Sequence, residues 1–338
     1  MDRSRVGLKD VARLAGVSVK TVSNVVNGYV HVTPATRTRV EAAIKELNYR
    51  PNLSARNLRQ GRTGIIALAV PELDIPYFAE LAHFVVACAE ERGLTVLIDQ
   101  TGATREREQL VAEGFRAHLI DGLIFSPLAL TADDLAARVD DTPMVLLGER
   151  VSGGTADHIV VDNVAAARDA TLHLASLGRR RIAAIGAQDD AVAETSRLRL
   201  AGYRQALKET GLPRDDRLVV PVEAYHRADG ARAMAALLDS GPMPDAVFCF
   251  NDLLALGALR TLLERGHSVP GEVALAGFDD IEDGRYGTPT LTTISPDKQA
   301  IARQAVDLLA DRMAKSSQAE AREIHVAYRL VIRESTNG

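Results

Sequence analysis

From Gly64 to Phe278 the chain repeats one pattern: a short, continuously apolar run rich in β-branched residues, then an amphipathic helix. The first runs are GIIALAVP (64–71), LTVLID (94–99), DGLIFS (121–126) and PMVLLG (143–148). A second series follows with HIVVD (158–162), RIAAIG (181–186), LVVPV (218–222), DAVFCF (245–250) and EVALAGF (272–278). Strands apolar on both sides need cover on both sides, and a helix between successive strands makes their pairing parallel. Two such series imply an α/β body of two doubly wound parallel-sheet lobes. Open sheets of this kind bind ligands beyond the carboxyl ends of their strands, so the cleft between the lobes is the expected pocket.

The residues that follow each strand are therefore the first binding candidates. After the first strand come Tyr77 and Phe78, and after the third comes Ser126. The second series offers Arg199 in TSRLRLAGY, Tyr225, the pair Asn251-Asp252 and the pair Asp279-Asp280. Rings, an arginine, an amide and carboxylates suit a small polyhydroxylated or planar ligand, stacked on the rings and hydrogen-bonded at its rim. Each residue also has a plainer use: Asn251 or Asp252 as a helix cap, Tyr77 and Phe78 as core, Arg199 as partner of a structural carboxylate. Their common placement after strands favours a site, and the mixture of groups favours a sugar over a purine.

Ahead of this body, LKDVARLAGVSVKTVSNVVNG (8–28) reads as two short helices joined by a tight turn. Leu8, Val11, Ala12 and Ala15 line one face of the first, and Gly16 supplies the left-handed residue that ends it. Ser18 caps a second helix whose Val22, Val25 and Val26 face the first. Thr33-Pro34 opens a third helix. Leu8, Val11, Val22, Val26, Val40, Ile44 and Leu47 are the expected shared core. The outward face of the second helix is small and polar, as entry into a DNA groove requires. At its start Val19 can touch a thymine methyl, Lys20 can donate to guanine and Asn24 can pair with adenine. Thr21, Ser23, Asn27, His31, Arg37 and Asn52 are candidate backbone contacts, with a solvated surface residue as the plain alternative for each. Charge agrees: residues 1–62 carry 12 Lys+Arg against 4 Asp+Glu, the remainder 28 against 41. That is a nucleic-acid-binding head on an acidic body.

Between the two lies PNLSARNLRQGR (51–62), where Asn52 could cap a helix from Leu53 to Arg59. The segment is shorter than the roughly 12–15 residues at which an isolated helix becomes marginal in water, so it should order only when something holds it. On such a helix Leu58 could wedge between minor-groove bases, with Ala55 as a second base contact and Arg56 and Arg59 on the backbone. The alternative is a plain linker whose leucine packs on the body.

Several classes are disfavoured. Cys88 and Cys249 are too few for a disulfide framework and lie in apolar stretches, so they read as small core residues. No charged-then-apolar leader opens the chain and no apolar run approaches a membrane span, so a cytoplasmic protein is expected. GxSxG, HExxH, GxxxxGK[ST] and a GxGxxG after the first strand are all missing, and the histidines show no metal spacing. No catalytic activity, cofactor or metal is expected. The rivals are an α/β enzyme of sugars or nucleotides carrying a DNA-binding head, and a periplasmic transport receptor, against which the basic head argues.

DVARLAGVSVKTVSNVVNG, TRTRVEAAIKELNYRPN, SARNLRQGRT, SRLRLAGY, FNDLLALGALR, VALAGFDD and TPTLTTI together resemble the lactose/galactose repressor family of bacterial transcription regulators, across essentially the whole chain. The resemblance implies a homodimer that reads two half-sites of a near-palindromic operator double-stranded DNA, with paired hinge helices inserting Leu58. It implies a helix-turn-helix domain at 1–50, a hinge at 51–62 and a body at 63–338 like periplasmic sugar-binding proteins, controlled by a small-molecule effector. Its lobes would be about 63–161 plus 291–320, and 162–290 plus 321–338. Matching motifs assign Arg199, Asn251 and Asp279 to ligand hydroxyls, and Tyr77, Phe78 and Tyr225 to the pocket lining. Where many members have an aspartate after the fourth strand, this chain has Gly148 followed by Glu149. The chain stops at Gly338 without the leucine-rich tail that makes some relatives tetramers, so a dimer is expected. Leu58→Ala should weaken specific operator binding far more than non-specific binding in a gel-shift assay; unchanged operator affinity would remove the wedge.

Overall fold

In a computed structural model the described residues are 6–26, 29, 31–49, 62–114, 119–151, 154, 156–188, 193–315 and 320–337. The chain divides into two compact units, Met1–Thr63 and Gly64–Gly338. In the first, α1 (Leu8–Ala15), α2 (Val19–Val26) and α3 (Pro34–Glu46) pack together. Their boundaries have local causes. Gly16 ends α1 at φ 63°, where a side chain would be strained. Ser18 Oγ accepts from the Thr21 amide at 3.1 Å to start α2, and Thr33 Oγ1 from Thr36 at 3.4 Å to start α3. Val11, Val22 and Val40 are fully buried as expected, whereas Leu8, Val26, Ile44 and Leu47 are only partly covered. Ala12, Ala15, Val25 and Ala43 complete the centre, because small side chains let three short helices approach closely.

The second unit holds two six-stranded sheets. The first comprises β1 (Ile65–Val70), β2 (Thr95–Gln100), β3 (Gly122–Phe125), β4 (Met144–Leu147), β5 (Asp157–Val161) and β11 (Glu323–Val326), in the order β2-β1-β3-β4-β5-β11 and all parallel. The second comprises β6 (Ile182–Ala187), β7 (Val219–Pro221), β8 (Ala246–Cys249), β9 (Ala274–Phe278), β10 (Thr292–Pro296) and β12 (Tyr328–Val331), in the order β7-β6-β8-β9-β10-β12. Only β12 runs antiparallel, against β10. In each sheet the strand order reverses beside the first strand, which opens a crevice at the carboxyl ends.

Strand alternation explains the cover. Ile66, Leu68 and Val70 of β1 meet α4 (Pro76–Glu90) and α12 (Lys298–Lys315) on one face, while Ala67 and Ala69 meet Leu130 and Leu135 on the other. Cys88 and Cys249 are buried core residues with free thiols. In the second lobe α7 (Asn163–Ser176) and α8 (Glu194–Thr210) touch through Gly202, where a Cβ would lie 2.2 Å from the Val164 carbonyl oxygen. That contact admits nothing larger than glycine. Among the described residues no helix is long and apolar enough to cross a membrane.

Three placements differ from the sequence reading. HIVVD does not begin the second series; it pairs with β4 in the first sheet. Residues 292–296 belong to the second lobe through pairing with β9, and 323–326 to the first through pairing with β5, the reverse of the expected boundaries at 291 and 321. Local pattern marks a strand but does not name its partner, which for β5 and β10 is the strand just before and for β11 is β5, far away in sequence. The chain thus passes between lobes three times: after β5, after β10 and after β11.

The late return of β11 is secured by charge. Asp157, wholly buried at the start of β5, accepts from Arg312 Nε at 2.9 Å and Nη2 at 2.8 Å and from the Arg322 amide at 2.9 Å. Burial alone would push this carboxyl up, but the hydrogen bonds from both arginines outweigh it and hold it below the usual carboxylate range. Removing one partner of such a group leaves buried charge uncompensated. Because the arginines left behind reach solvent, Asp157→Ala is expected to cost about 1.5–3 kcal/mol, read as a lower urea midpoint with an unchanged slope.

Candidate functional site

On the first unit, α2 presents Val19 and Lys20 to solvent, with Thr21, Ser23 and Asn24 half-buried beside them. The Thr21 hydroxyl bonds Ser18 Oγ at 2.8 Å, so the start of this helix is stiffened by its own cap. His31 stands edge-on to Tyr29 with ring centroids 5.3 Å apart, and Arg37 Nη2 donates to the Tyr29 carbonyl at 3.0 Å. These contacts tie Tyr29 to His31 and to the first turn of α3. Tyr29 was not singled out by sequence, because its role depends on neighbours across a turn. Asn27, Asn52, Ala55, Arg56 and Leu58 lie outside the described residues.

In the second unit a cavity of about 660 Å³ lies between the lobes. Tyr77, Phe78, Ser126, Arg199, Tyr225, Asn251 and Asp279 all line it. Tyr77 and Phe78 enter from the first turn of α4, their rings edge-to-face at 5.3 Å. Both also pack against the first-lobe core, so the plainer use and the cavity position hold together. Asn251 likewise caps α10 (Asp252–Glu264), accepting from the Leu254 amide at 2.9 Å while donating to the Tyr225 carbonyl at 3.1 Å. Tyr225 in turn donates to the Gly186 carbonyl at 2.8 Å. Burial, opposed by Arg199, pushes the Tyr225 hydroxyl up to about 12, so it stays a neutral donor.

Arg199 pairs with no structural carboxylate among the described residues. Its Nε donates to Asn163 Oδ1 at 2.7 Å, Nη1 bonds the Phe250 carbonyl, and its guanidinium carbon sits 3.5 Å from the centre of the Phe278 ring. A guanidinium held by neutral oxygens and an aromatic face keeps its charge and its remaining donor edge for a ligand. Asn163 and Phe278 were missed by sequence, although both stand at strand ends, the signal that found the others.

The three aspartates of the two pairs divide their roles. Asp252 turns inward, accepting from the Ile281 amide at 2.9 Å and Thr293 Oγ1 at 2.6 Å. Asp280 is taken by Arg333 at 2.6 Å, Ser295 at 2.9 Å and Arg285 at 3.2 Å. Asp279 faces the cavity. It adopts φ 115° and Asp280 φ 52°, strained for side-chain-bearing residues and common where surroundings force a functional geometry. The Lys298 ammonium enforces it, donating to the carbonyls of Asp279 at 2.8 Å and Asp280 at 3.0 Å. Burial raises Asp279 to about 6, against the lowering pull of Arg199 and Lys298, with Glu80 and Glu149 adding to the rise.

Two contacts join the lobes across the cavity. Glu149 Oε2 accepts from Thr195 Oγ1 at 3.2 Å, and His226 Nε2 lies 3.3 Å from Glu72 Oε2. All four residues line the cavity.

Residues 7–52 match the model of the lacI family of bacterial regulatory proteins, and residues 171–336 a periplasmic binding protein-like domain. The HTH-type transcriptional regulator CelR of Thermobifida fusca is 36% identical, over 98% of this chain and 99% of its own. A solved CelR–cellobiose complex is 34% identical with a TM-score of 0.71, covering 98% of this chain and 100% of that one. A LacI-family structure from Sanguibacter keddieii is 50% identical with a TM-score of 0.76, covering 82% of this chain and 100% of its own. The lac repressor dimer bound to operator and the anti-inducer ONPF is 29% identical with a TM-score of 0.84, covering 98% and 99%.

The elevated Asp279 carboxyl has a measurable consequence. Between the usual carboxylate range and pH 6 the folded chain holds a proton that the unfolded chain releases, so stability falls as pH rises through that window. Asp279→Asn should exceed the parent by little near pH 4 and by about 2–3 kcal/mol at pH 7, measured by urea denaturation across that range.

Proposed function

Because the chain belongs to the lacI family of bacterial regulatory proteins, we propose that it is a sequence-specific transcriptional repressor whose hold on operator DNA is set by a sugar bound between its lobes. The observation that carries this reading is the joining, in one chain, of a helix-turn-helix with an exposed polar reading face and a two-lobed body whose strand-end residues line one cavity. In this reading Val19, Lys20 and Asn24 meet base edges, and Thr21, Ser23, Asn27, His31, Arg37, Asn52 and Arg56 hold the backbone. Ala55 and Leu58 enter the minor groove from the hinge.

A homodimer places two heads on two half-sites, as a lac repressor dimer sits on its operator. The ligand lies with its apolar face on Tyr77 and Phe78, and its hydroxyls reach Ser126, Arg199, Asn251 and Asp279. CelR holding cellobiose favours a carbohydrate. The aromatic walls favour a nucleobase as the second reading. Closing the lobes on the ligand shifts the first strand of the body, which begins at Ile65, and so the two hinges leading into it. Hinges too short to fold unaided then pair or separate, a two-state element that both ligands bias. The relatives are transcriptional regulators, which supports reading this chain as a regulator that needs no catalysis.

Selection of duplexes from a random pool by the full chain should return a near-palindromic site. The logarithm of its affinity should fall linearly with log salt, with a slope of about −5 to −9. Sugars, and purines as the alternative, are then titrated into the complex; Arg199→Ala should raise the effective sugar concentration at least about tenfold, the loss of one charge-assisted bond. A chain with no duplex preference, or one that turns over a sugar or nucleotide, overturns the proposal.

A further inference from the structure

The charge of the interlobe cavity narrows what can enter it. Its lining carries Glu72, Glu149, Glu223 and Asp279 against Arg199 and His226; Glu194, also on the wall, is engaged by Arg197. The His226 ring is met by Glu72 at 3.3 Å, and Arg199, held on two nitrogens by neutral oxygens, leaves one guanidinium charge against the carboxylates of the described lining. Among the described residues two carboxylates facing the space, Glu149 and Asp279, make no ion pair, although Arg199 and Lys298 pull the Asp279 carboxyl down. Glu149 accepts only from neutral groups, the Thr195 hydroxyl at 3.2 Å and the Val161 amide at 3.5 Å. Asp279 is 8% exposed, and among the described residues no donor reaches its carboxylate. Its nearest ammonium, Lys298, is drawn away to main-chain carbonyls and to Glu80 at 2.5 Å.

We propose that this cavity accepts a sugar without negative charge, neutral or amino-substituted, and rejects phosphate esters, with Glu149 and Asp279 setting that choice. Hydroxyl or ammonium hydrogens bond well to ionised acceptors, and such bonds are stronger than those between neutral groups. A phosphate brought among unpaired carboxylates meets repulsion in a space where water screens poorly, and a repulsive element is an efficient way to exclude a near-identical competitor. Glu149 also ties that choice to closure. Its second oxygen is bound to Thr195 of the opposite lobe, so a ligand group that donates to it binds where the lobes meet.

The inference rests on the carbohydrate reading of the site, and one experiment separates the two. The full chain is titrated calorimetrically and by thermal shift with matched sets: glucose, glucosamine and glucose 6-phosphate; galactose, galactosamine and galactose 1-phosphate; ribose and ribose 5-phosphate; and cellobiose with its phosphate ester. Inorganic phosphate serves as the anion control. The expected result is binding of at least one neutral or amino sugar, with its phosphate ester at least tenfold weaker and inorganic phosphate inert. Glu149→Gln should narrow that gap by about tenfold, the effect of removing one nearby like charge. A phosphate ester that binds more tightly than its parent overturns the charge rule and leaves the carbohydrate reading standing. A preference for the parent that Glu149→Gln leaves unaltered overturns the role of Glu149. Silence across every set overturns the carbohydrate reading and the charge rule with it.

Discussion

Three passages of the chain between two parallel sheets constrain everything else in the body. After β5 the chain enters α7, after β10 it enters α12, and after β11 it enters β12. A single linker would let two lobes tumble independently; three side by side restrict them to bending about one seam. The cavity lies between the lobes they join. Because both sheets present strand carboxyl ends to that cavity, the residues that end strands on one lobe face those that end strands on the other. Contacts such as Glu149 with Thr195 and Glu72 with His226 can then respond to closure.

The cavity wall at Asp279 is held in place by groups that do not line the cavity. Asp252 and Thr293 brace the turn at residues 279–281 from beneath, Lys298 grips its carbonyls, and Arg333 and Arg285 neutralise Asp280. An unfavourable backbone conformation at Asp279 survives only because these bonds over-determine it. On the same lobe, the close approach of α8 to α7 at Gly202 brings Arg199 within reach of Asn163. The glycine in SRLRLAGY and the arginine ahead of it are parts of one arrangement, the first making room for the second to be aimed.

Much of this was legible from residues alone, because the relevant physics is local. The nine strands between residues 64 and 278 follow from apolar runs flanked by amphipathic stretches. The ends of α1, α2 and α3 follow from Gly16, Ser18 and Thr33, whose effects reach three or four residues. The seven cavity residues followed from one rule about where open parallel sheets bind. What escaped was non-local. Strands β11 and β12 carry exposed or half-exposed residues, so their pattern is weak. Asn163 supporting Arg199 and Phe278 lying beneath it join residues from separate stretches of chain.

The sequence by itself determined the element types, the basic head and acidic body, and the positions from which side chains could reach a ligand, since each depends on neighbours a few residues away. Only the tertiary structure decided which sheet receives β5, β10 and β11. It also decided that Asp252 and Asp280 are buried in hydrogen bonds while Asp279 faces the cavity. Burial and the place of β11 are set by partners more than a hundred residues distant, as when β11 pairs with β5 and Arg312 and Arg322 close on Asp157. No window of sequence contains the free energy that chooses among them.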